Sequence, residues 1–333
     1  MAKTSTSNTT TCVTRALSLA AYCALGIALT QAASAQSTYP DRPLRLIIAA
    51  GPGGVADTIA RVVGQKLSAR FGQPVVADNR AGAGGLVGAK TVAGATPNGY
   101  TLLVITAAVV SSAAISKEAV DPRTQLTPIA FGAGAPIAFA VNRATPAKNL
   151  MDFVRKVKGG RFTYSTAGHG TSAHFIAEYV FKMAGGLDVT HVPFPGGLAP
   201  LTAVVSQEVD LTVPTVPTAL PFLKDGRLQA LAVANHKRIG SLPDVPTLAE
   251  AGFADFEQVS WIGFFAPPGM PPALVRTLDT EINNALREPD VRGRLANLGF
   301  EPSTNSQREF ASFVSSEMAK WEQIVKKTDI TLR

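Results

Sequence analysis

The sequence predicts an α/β fold in two halves, each built from strands that alternate with helices. Short β-prone apolar runs, such as 45–50 and 74–77, precede segments with helical spacing, and this order favours parallel strands. Glycine-rich turns join a strand to a helix in both halves, at 51–54 and at 168–172. The chain has 333 residues, 46% of them hydrophobic and 17% charged, which suits one large or two medium domains.

The first 35 residues predict a secretory signal peptide. Residues 1–15 are polar and contain no acid, residues 16–30 are apolar, and a small-x-small cleavage site follows at 33–35. The apolar run is short for a transmembrane helix, so a retained membrane anchor is the less favoured alternative. We therefore expect cleavage after Ala35 and a soluble mature protein outside the cytoplasm.

Cysteine content and net charge exclude several classes of site. Both cysteines, Cys12 and Cys23, fall in the predicted signal peptide, so neither a disulfide framework nor a cysteine-based zinc site is expected in the mature chain. The formal net charge is +7, from 31 Lys and Arg against 24 Asp and Glu. The basic residues are dispersed, which argues against a nucleic-acid partner. The net positive charge still favours anionic ligands.

Apolar periodicity and turn residues place the elements in order. Apolar residues fall on one face of a helix over 58–70, and glycine or proline breaks most later segments. The predicted strands are 45–50, 74–77, 100–106, 129–131, 139–141, 162–165, 189–192, 209–213, 228–234 and 259–265. The predicted helices are 58–70, 86–93, 149–158, 173–184, 200–206 and 218–225, with a mostly helical tail over 272–327 that turns at 299–306.

Two glycine-rich motifs in the first half follow predicted strands. Residues 51–57 put glycines just before a helix, whose free N–H groups and dipole suit a carboxylate or phosphate; a plain tight turn is an equal alternative. This motif is not a P-loop, because no Lys-Ser/Thr pair follows the glycines. Residues 82–88 only loosely match a dinucleotide fingerprint, and turn geometry with bracing by Asn79 and Arg80 is favoured.

The segment 165–174 again joins a strand to a helix and is rich in hydroxyl groups. Ser172 and His174 allow a nucleophile–base pair, but no G-x-S-x-G elbow or orienting acid accompanies them. The four histidines of the chain, His169, His174, His191 and His236, show no metal-ligand spacing. The sequence therefore predicts no catalytic residues, no metal and no cofactor, and His174 is expected to pack on a helix face.

Ten segments together resemble the tripartite tricarboxylate transporter substrate-binding proteins, also called the Bug family. They include the Pro52-Gly53-Gly54 turn with Asp57, and the segment 164–174 that ends at His174. The matching segments are 39–43, 52–54, 57, 79–85, 97–103, 164–174, 191–194, 209–211, 231–233 and 242–247. The resemblance covers essentially the whole mature chain, from residue 39 to residue 321.

The resemblance implies a two-lobed periplasmic binding protein of type II, with discontinuous domains joined by a hinge. Domain 1 is expected at 39–141 plus 264–333, and domain 2 at 142–263. In this family a small carboxylate is typically held by backbone N–H groups and ordered waters. Carried over to this chain, the expected contacts are Gly53, Gly54, Val55, Asp57, Gly168, His169, Thr171 and Ser172.

Departures from the family pattern add three candidate lining residues. Ala107 stands where relatives often have a polar residue, and Pro214 and Thr215 stand where many have an Asp-Asn pair. Losing an acid at 214 argues against a ligand ammonium group, which would be desolvated without a partner. We expect a carboxylate with an apolar or aromatic body rather than an amino acid.

The predicted function is non-enzymatic capture of a small organic carboxylate for a tripartite tricarboxylate-type permease or a signalling partner. The protein is expected to be a monomer. The alternative from another class is an exported serine hydrolase that uses Ser172 and His174.

Overall fold

The computed structural model describes residues 39–115, 119–169, 171–185, 187–194, 196–253 and 260–328. The predicted signal peptide over 1–35 lies outside the described residues. Every element below belongs to one compact unit, residues 42–333. None of the described helices is long and apolar enough to cross a membrane.

The first run of elements alternates strands and helices, as predicted. Helix α1 ends where Gly72 adopts the left-handed conformation, with φ 64°, which is the usual way for glycine to terminate a helix. In chain order the elements are β1 (Leu44–Ile48), α1 (Val55–Phe71), β2 (Val75–Asn79), α2 (Leu86–Ala93), β3 (Thr101–Thr106), α3 (Ala107–Ile115) and β4 (Thr127–Gly134).

The second run has the same alternation. Helix α4 begins at an Asn149 cap, whose side-chain oxygen accepts the N–H of Asp152 at 2.8 Å. The elements are β5 (Ile137–Asn142), α4 (Leu150–Val157), β6 (Arg161–Thr166), α5 (Ser172–Ala184), β7 (Asp188–Pro193), α6 (Ala199–Val205), β8 (Leu211–Thr212), α7 (Val216–Lys224) and β9 (Leu228–Ala234).

The last run returns to the first sheet and ends in helices. Every residue of its first strand is buried, as expected for a strand in the middle of a sheet with both faces covered. The elements are β10 (Trp261–Ala266), α8 (Pro272–Arg287), α9 (Pro289–Asn297), β11 (Glu301–Pro302) and α10 (Gln307–Thr328).

The described strands form two sheets. The first has the order β11-β4-β10-β3-β1-β2, and the second β7-β6-β8-β5-β9. Strand β1 runs parallel to β2 and β3, and β6 runs parallel to β7 and β8. Strand β10 is antiparallel to β3 and β4, and β5 is antiparallel to β8 and β9. Each sheet is therefore mixed, and the predicted parallel pairing holds only in part of each.

Each sheet has its own hydrophobic core, and one aromatic side chain joins the two halves. Phe139, Phe162 and Tyr164 belong to the core around the second sheet. Phe175, although it belongs to α5 beside that sheet, packs into the core around the first, and its ring centroid lies 4.9 Å from that of Trp321. The start of α5 is thereby held against the first half.

Element boundaries differ from the predictions in a few places. The predicted strand over 209–213 is only two residues long, and helix α3 was not predicted. The chain changes sheet between Gly134 and Ile137 and returns between Ala234 and Trp261. The domain bounds 39–141 plus 264–333 and 142–263 stay a prediction. The first change of sheet lies a few residues before the predicted boundary between residues 141 and 142.

Candidate functional site

The predicted site residues lie at the carboxyl edges of the parallel strands. Strands β1, β2 and β3 end at one edge of the first sheet, and β6, β7 and β8 end at one edge of the second. Ligands of open α/β sheets bind outside this edge. The first edge carries Gly53, Gly54, Val55, Asp57 and Ala107. The second edge carries Gly168, His169, Thr171, Ser172, Pro214 and Thr215.

The turn after β1 presents backbone N–H groups at the start of α1. Gly53 has φ 75°, a conformation that favours glycine, and Gly54 caps the helix without a side chain to accept a hydrogen bond. The N–H groups of Val55 and Ala56 have no acceptor within the helix, and the helix dipole adds positive potential there. This end of α1 is therefore suited to an anionic oxygen.

Asp57 holds the turn in place through a network of hydrogen bonds. Its Oδ2 accepts the N–H of Gly53 at 3.0 Å, and Arg61 Nε donates to both carboxylate oxygens at 2.9 and 3.0 Å. Asn79 Nδ2 donates to Asp57 Oδ1 and to the carbonyl of Ala50, both at 3.0 Å. Burial would raise the pKa of Asp57, but these hydrogen bonds lower it below its ordinary value. The sequence analysis predicted Asp57 as a ligand contact. It did not predict that Arg61 and Asn79 hydrogen-bond to the Asp57 carboxylate.

The glycines over 82–88 serve close packing. A Cβ on Gly88 would lie 2.8 Å from Cα and Cβ of Ala49, and one on Gly85 would lie 2.9 Å from Val109 Cγ2. Gly85 also has φ 98°. Helix α2 can approach the end of β1 only because these side chains are absent, which supports the turn interpretation over a dinucleotide fingerprint.

The turn after β6 is a second hydrogen-bonded helix start. Thr171 caps α5, because its Oγ1 accepts the N–H of His174 at 3.2 Å and donates to the carbonyl of Gly168 at 2.9 Å. Gly168 has φ 129° and donates its N–H to Thr166 Oγ1 at 3.2 Å. The N–H groups of Ser172 and Ala173 have no acceptor within the helix. The second edge thus offers the same kind of donors as the first.

Ser172 and His174 do not form a nucleophile–base pair. Ser172 Oγ is buried and has no hydrogen-bond partner among the described residues. The ring of His174 stacks instead on His191, with centroids 4.1 Å apart and planes 15° apart. The serine hydrolase alternative therefore has no support in the geometry.

The three candidate lining residues, Ala107, Pro214 and Thr215, follow strand ends. Ala107 is fully buried at the first position of α3. The carbonyl of Pro214 accepts the N–H of Ala138 at 2.9 Å, and Thr215 precedes α7 with its Oγ1 2.9 Å from Thr218 Oγ1. All three follow strands at the predicted edges, and none brings a charge.

Three of the four histidines come together at the second edge. Candidate ligand nitrogens of His169, His174 and His191 all lie within 4.8 Å of one another. His169 is exposed and stands edge-on to both other rings, whereas His174 is only 9% exposed. The sequence predicted no metal-ligand spacing, because the turn, helix and strand that carry these residues meet only in the fold.

The two less exposed histidine rings are uncharged at neutral pH. Burial lowers the pKa of His174. Burial, together with the neighbouring His174 and His169, lowers the pKa of His191 to about 3. On the far side of His191 the ring of Tyr164 stacks at 4.8 Å, and the Tyr164 hydroxyl donates to Glu178. Burial raises the pKa of Tyr164, so this hydroxyl keeps its proton.

Helix α3 connects the two edges. It begins at Ala107, directly after β3, and contacts both the 83–85 turn and helix α5. Phe175 follows the histidine of the α5 first turn and packs into the core of the first half. The start of α5 therefore lies against the half that carries the Gly53–Gly54 turn.

Comparison with known proteins gives consistent matches. Residues 59–330 match the model of the tripartite tricarboxylate transporter family receptors. A UPF0065 protein of Bordetella pertussis is 35% identical over 306 residues, which is 90% of this chain and 94% of that protein. The protein BugT of the same species is 29% identical, over 89% of this chain and 92% of its own length.

Solved structures show the same fold. A periplasmic transporter structure is 35% identical with a TM-score of 0.83, covering 89% of this chain and all of that one. MatC of Rhodopseudomonas palustris with bound malate is 31% identical with a TM-score of 0.79, covering 86% and 100% of the two chains. An R. palustris protein with adipate is 29% identical with a TM-score of 0.81, covering 88% and 99%.

These likenesses confirm the two-lobed α/β binding-protein fold and indicate a periplasmic protein. The chain belongs to the tripartite tricarboxylate transporter receptor family.

Proposed function

We propose that this protein captures a small organic carboxylate between the two strand edges and delivers it to a membrane permease or a signalling partner. The observation that carries the proposal is the pair of helix starts, at Val55 and Ser172, that present backbone N–H groups at carboxyl edges of parallel strands. Relatives with this fold carry malate and adipate.

The contacts divide between the two edges. Gly53, Gly54 and Val55 supply N–H groups or close backbone approach from the first edge. Gly168, His169, Thr171 and Ser172 do so from the second, and Ala107, Pro214 and Thr215 line the space beside them. Asp57 acts as a positioning residue, because its carboxylate already accepts protein hydrogen bonds and would repel an anion at short range.

The ligand body is expected to be apolar or aromatic. The three lining residues at the strand ends bring no charge, so a buried ammonium group would lack a partner there and would cost several kcal/mol to desolvate. Backbone amides stabilise a carboxylate without an opposing formal charge. A carboxylate that lacks an amino group therefore fits this edge better than an amino acid.

Capture requires the two halves to close on the ligand. A ligand shifts an open–closed equilibrium only by its differential affinity for the two states, and contacts from both edges supply that difference. In the proposed mature form the signal peptide is cleaved after Ala35 and the protein is a monomer. It catalyses no reaction and needs no nucleic-acid partner.

Calorimetric titration of the mature chain with malate, adipate, benzoate and aspartate tests the proposal. We expect saturable binding of at least one carboxylate without an amino group and much weaker binding of aspartate. Tight binding of aspartate with no binding of the other acids would overturn the ligand class. Steady turnover of an ester or amide substrate, lost in Ser172→Ala, would overturn the non-enzymatic assignment.

A further inference from the structure

The histidine cluster at the second edge brings together three imidazole side chains that carboxylate capture by backbone amides does not use. His169, His174 and His191 come from a turn, a helix and a strand, and their candidate ligand nitrogens lie within 4.8 Å of one another. Neutral imidazole is a common ligand for divalent zinc, nickel and copper, and three histidines with one open position form a known type of zinc site.

The hydrogen bonding of His191 leaves one of its nitrogens available. The Thr166 hydroxyl donates to the Gly168 carbonyl at 3.1 Å, and its oxygen lies 2.8 Å from His191 Nε2. We assign the proton between them to Nε2, because the hydroxyl proton is already used. Nδ1 of His191 then carries a lone pair, and this atom is buried without a hydrogen-bond partner among the described residues. Metal-binding histidines commonly have this pattern, with the second nitrogen donating to an oxygen.

Modest movement converts the cluster into a coordination site. Nitrogens bound to one zinc ion at about 2.0–2.1 Å are about 3.4 Å apart, so a pair at the 4.8 Å limit must approach by about 1.4 Å. The stacked rings of His174 and His191 lie 15° from parallel, so one must also turn about its Cβ–Cγ bond for both lone pairs to converge. His169 is exposed and stands edge-on to both other rings, so its side chain is the least enclosed of the three.

We propose that His169, His174 and His191 bind one divalent transition-metal ion, with Zn²⁺ as the reference ion. His174 is nearly buried and His191 is partly buried, and the exposed His169 closes the site from the turn. The fourth coordination position faces away from the three rings and is left for water or a carboxylate oxygen.

The same ion would contact the captured ligand. His169 lies between Gly168 and Thr171 in the turn that we propose as a carboxylate contact, so an ion on His169 sits beside the bound anion. This step rests on the proposed function, whereas the three-histidine site does not. It predicts that the ligand is recognised more tightly when a metal ion shares its carboxylate.

Titration of untagged mature chain with ZnCl₂ tests the site, because a polyhistidine tag would itself bind the ion. We expect one high-affinity Zn²⁺ per chain, and loss of at least tenfold in affinity in His169→Asn. The matched control is His236→Asn, which changes an exposed histidine outside the cluster and should bind Zn²⁺ as the wild type does. Co²⁺ should give the intense visible absorption of a tetrahedral site in the wild type and not in His169→Asn.

Absence of stoichiometric Zn²⁺ binding, or equal affinity in His169→Asn and the wild type, would overturn the metal site. A separate titration with adipate, in chelator-treated and in Zn²⁺-loaded protein, tests the shared carboxylate. Tighter adipate binding in the Zn²⁺-loaded protein supports contact between the ion and the ligand carboxylate. Equal adipate affinity in the two forms overturns that contact and leaves the three-histidine site standing. Failure of adipate and malate to bind either form would count against the proposed function and leave the Zn²⁺ result standing.

Discussion

Replacing Asp57 by alanine should weaken carboxylate binding even though this side chain is not expected to touch the ligand. The change removes the acceptor for Gly53 N–H at 3.0 Å, for Arg61 Nε and for Asn79 Nδ2. The Gly53 turn then loses the contact that holds it against α1. Disorder in the turn raises the entropy cost of ordering it around an anion.

The magnitude follows from the lost partners. Gly53 and Arg61 are exposed and Asn79 is half-buried, so water can replace part of the lost hydrogen bonds, and the loss of folding stability should be about 1 kcal/mol. For a chain of this size that corresponds to a fall of roughly 2–4 °C in Tm. We expect carboxylate affinity to fall about tenfold, which equals about 1.4 kcal/mol of binding free energy.

Asp152→Ala is a matched control for this prediction. Asp152 also lies in the first turn of a helix, accepts a backbone N–H four residues earlier, from Lys148 at 2.9 Å, and pairs with Lys156 four residues later at 3.2 Å. It belongs to α4, away from the strand edges that carry the proposed ligand contacts. Its replacement should lower Tm without changing carboxylate affinity.

Thermal unfolding and calorimetry on both variants provide the assay. The wild-type advantage over Asp57→Ala should be full near pH 7, because a lowered carboxyl pKa stabilises the fold above the ordinary pKa. It should shrink as the pH falls through that lowered value. Wild-type carboxylate affinity in Asp57→Ala, or an equal loss of affinity in Asp152→Ala, would refute the positioning role.

Substitutions at three further positions test the close packing, the helix cap and the contact between the halves. Gly88→Ala puts a Cβ 2.8 Å from Ala49 and should cost about 1–3 kcal/mol in chemical unfolding; an unchanged midpoint would contradict the close packing. Thr171→Ala removes a helix cap worth about 1 kcal/mol and should lower Tm, whereas Thr171→Ser should retain it. Phe175→Ala should cost about 3–5 kcal/mol and shift the tryptophan emission, because the ring packs 4.9 Å from Trp321; unchanged emission would count against that contact.

Local patterns made much of the first edge predictable. The glycine turn and the following amphipathic helix are adjacent in sequence, so their geometry depends mainly on nearby residues. The network around Asp57 was less accessible, because Asn79 arrives from a different strand, 22 residues along the chain. Its position at a strand end was the available indication, and the β1–β2 pairing, which sets Asn79 opposite Ile48, brings it to the turn that Asp57 holds.

The histidine cluster at the second edge could not be predicted from the sequence. His191 lies 25 residues from Thr166 in sequence but within hydrogen-bond distance in the fold, because β6 and β7 pair in parallel. No spacing rule for metal ligands covers that separation. Helix α3 was missed for a different reason: apart from two serines, its residues are apolar on every side, so no helical periodicity distinguishes it.

A crystal structure of the mature chain with adipate would show directly whether the two helix starts hold the carboxylate. We expect one adipate carboxylate between the two strand edges, with its oxygens about 3 Å from backbone nitrogens at Val55 and Ser172. A carboxylate held mainly by Lys or Arg side chains, or bound away from both helix starts, would contradict it.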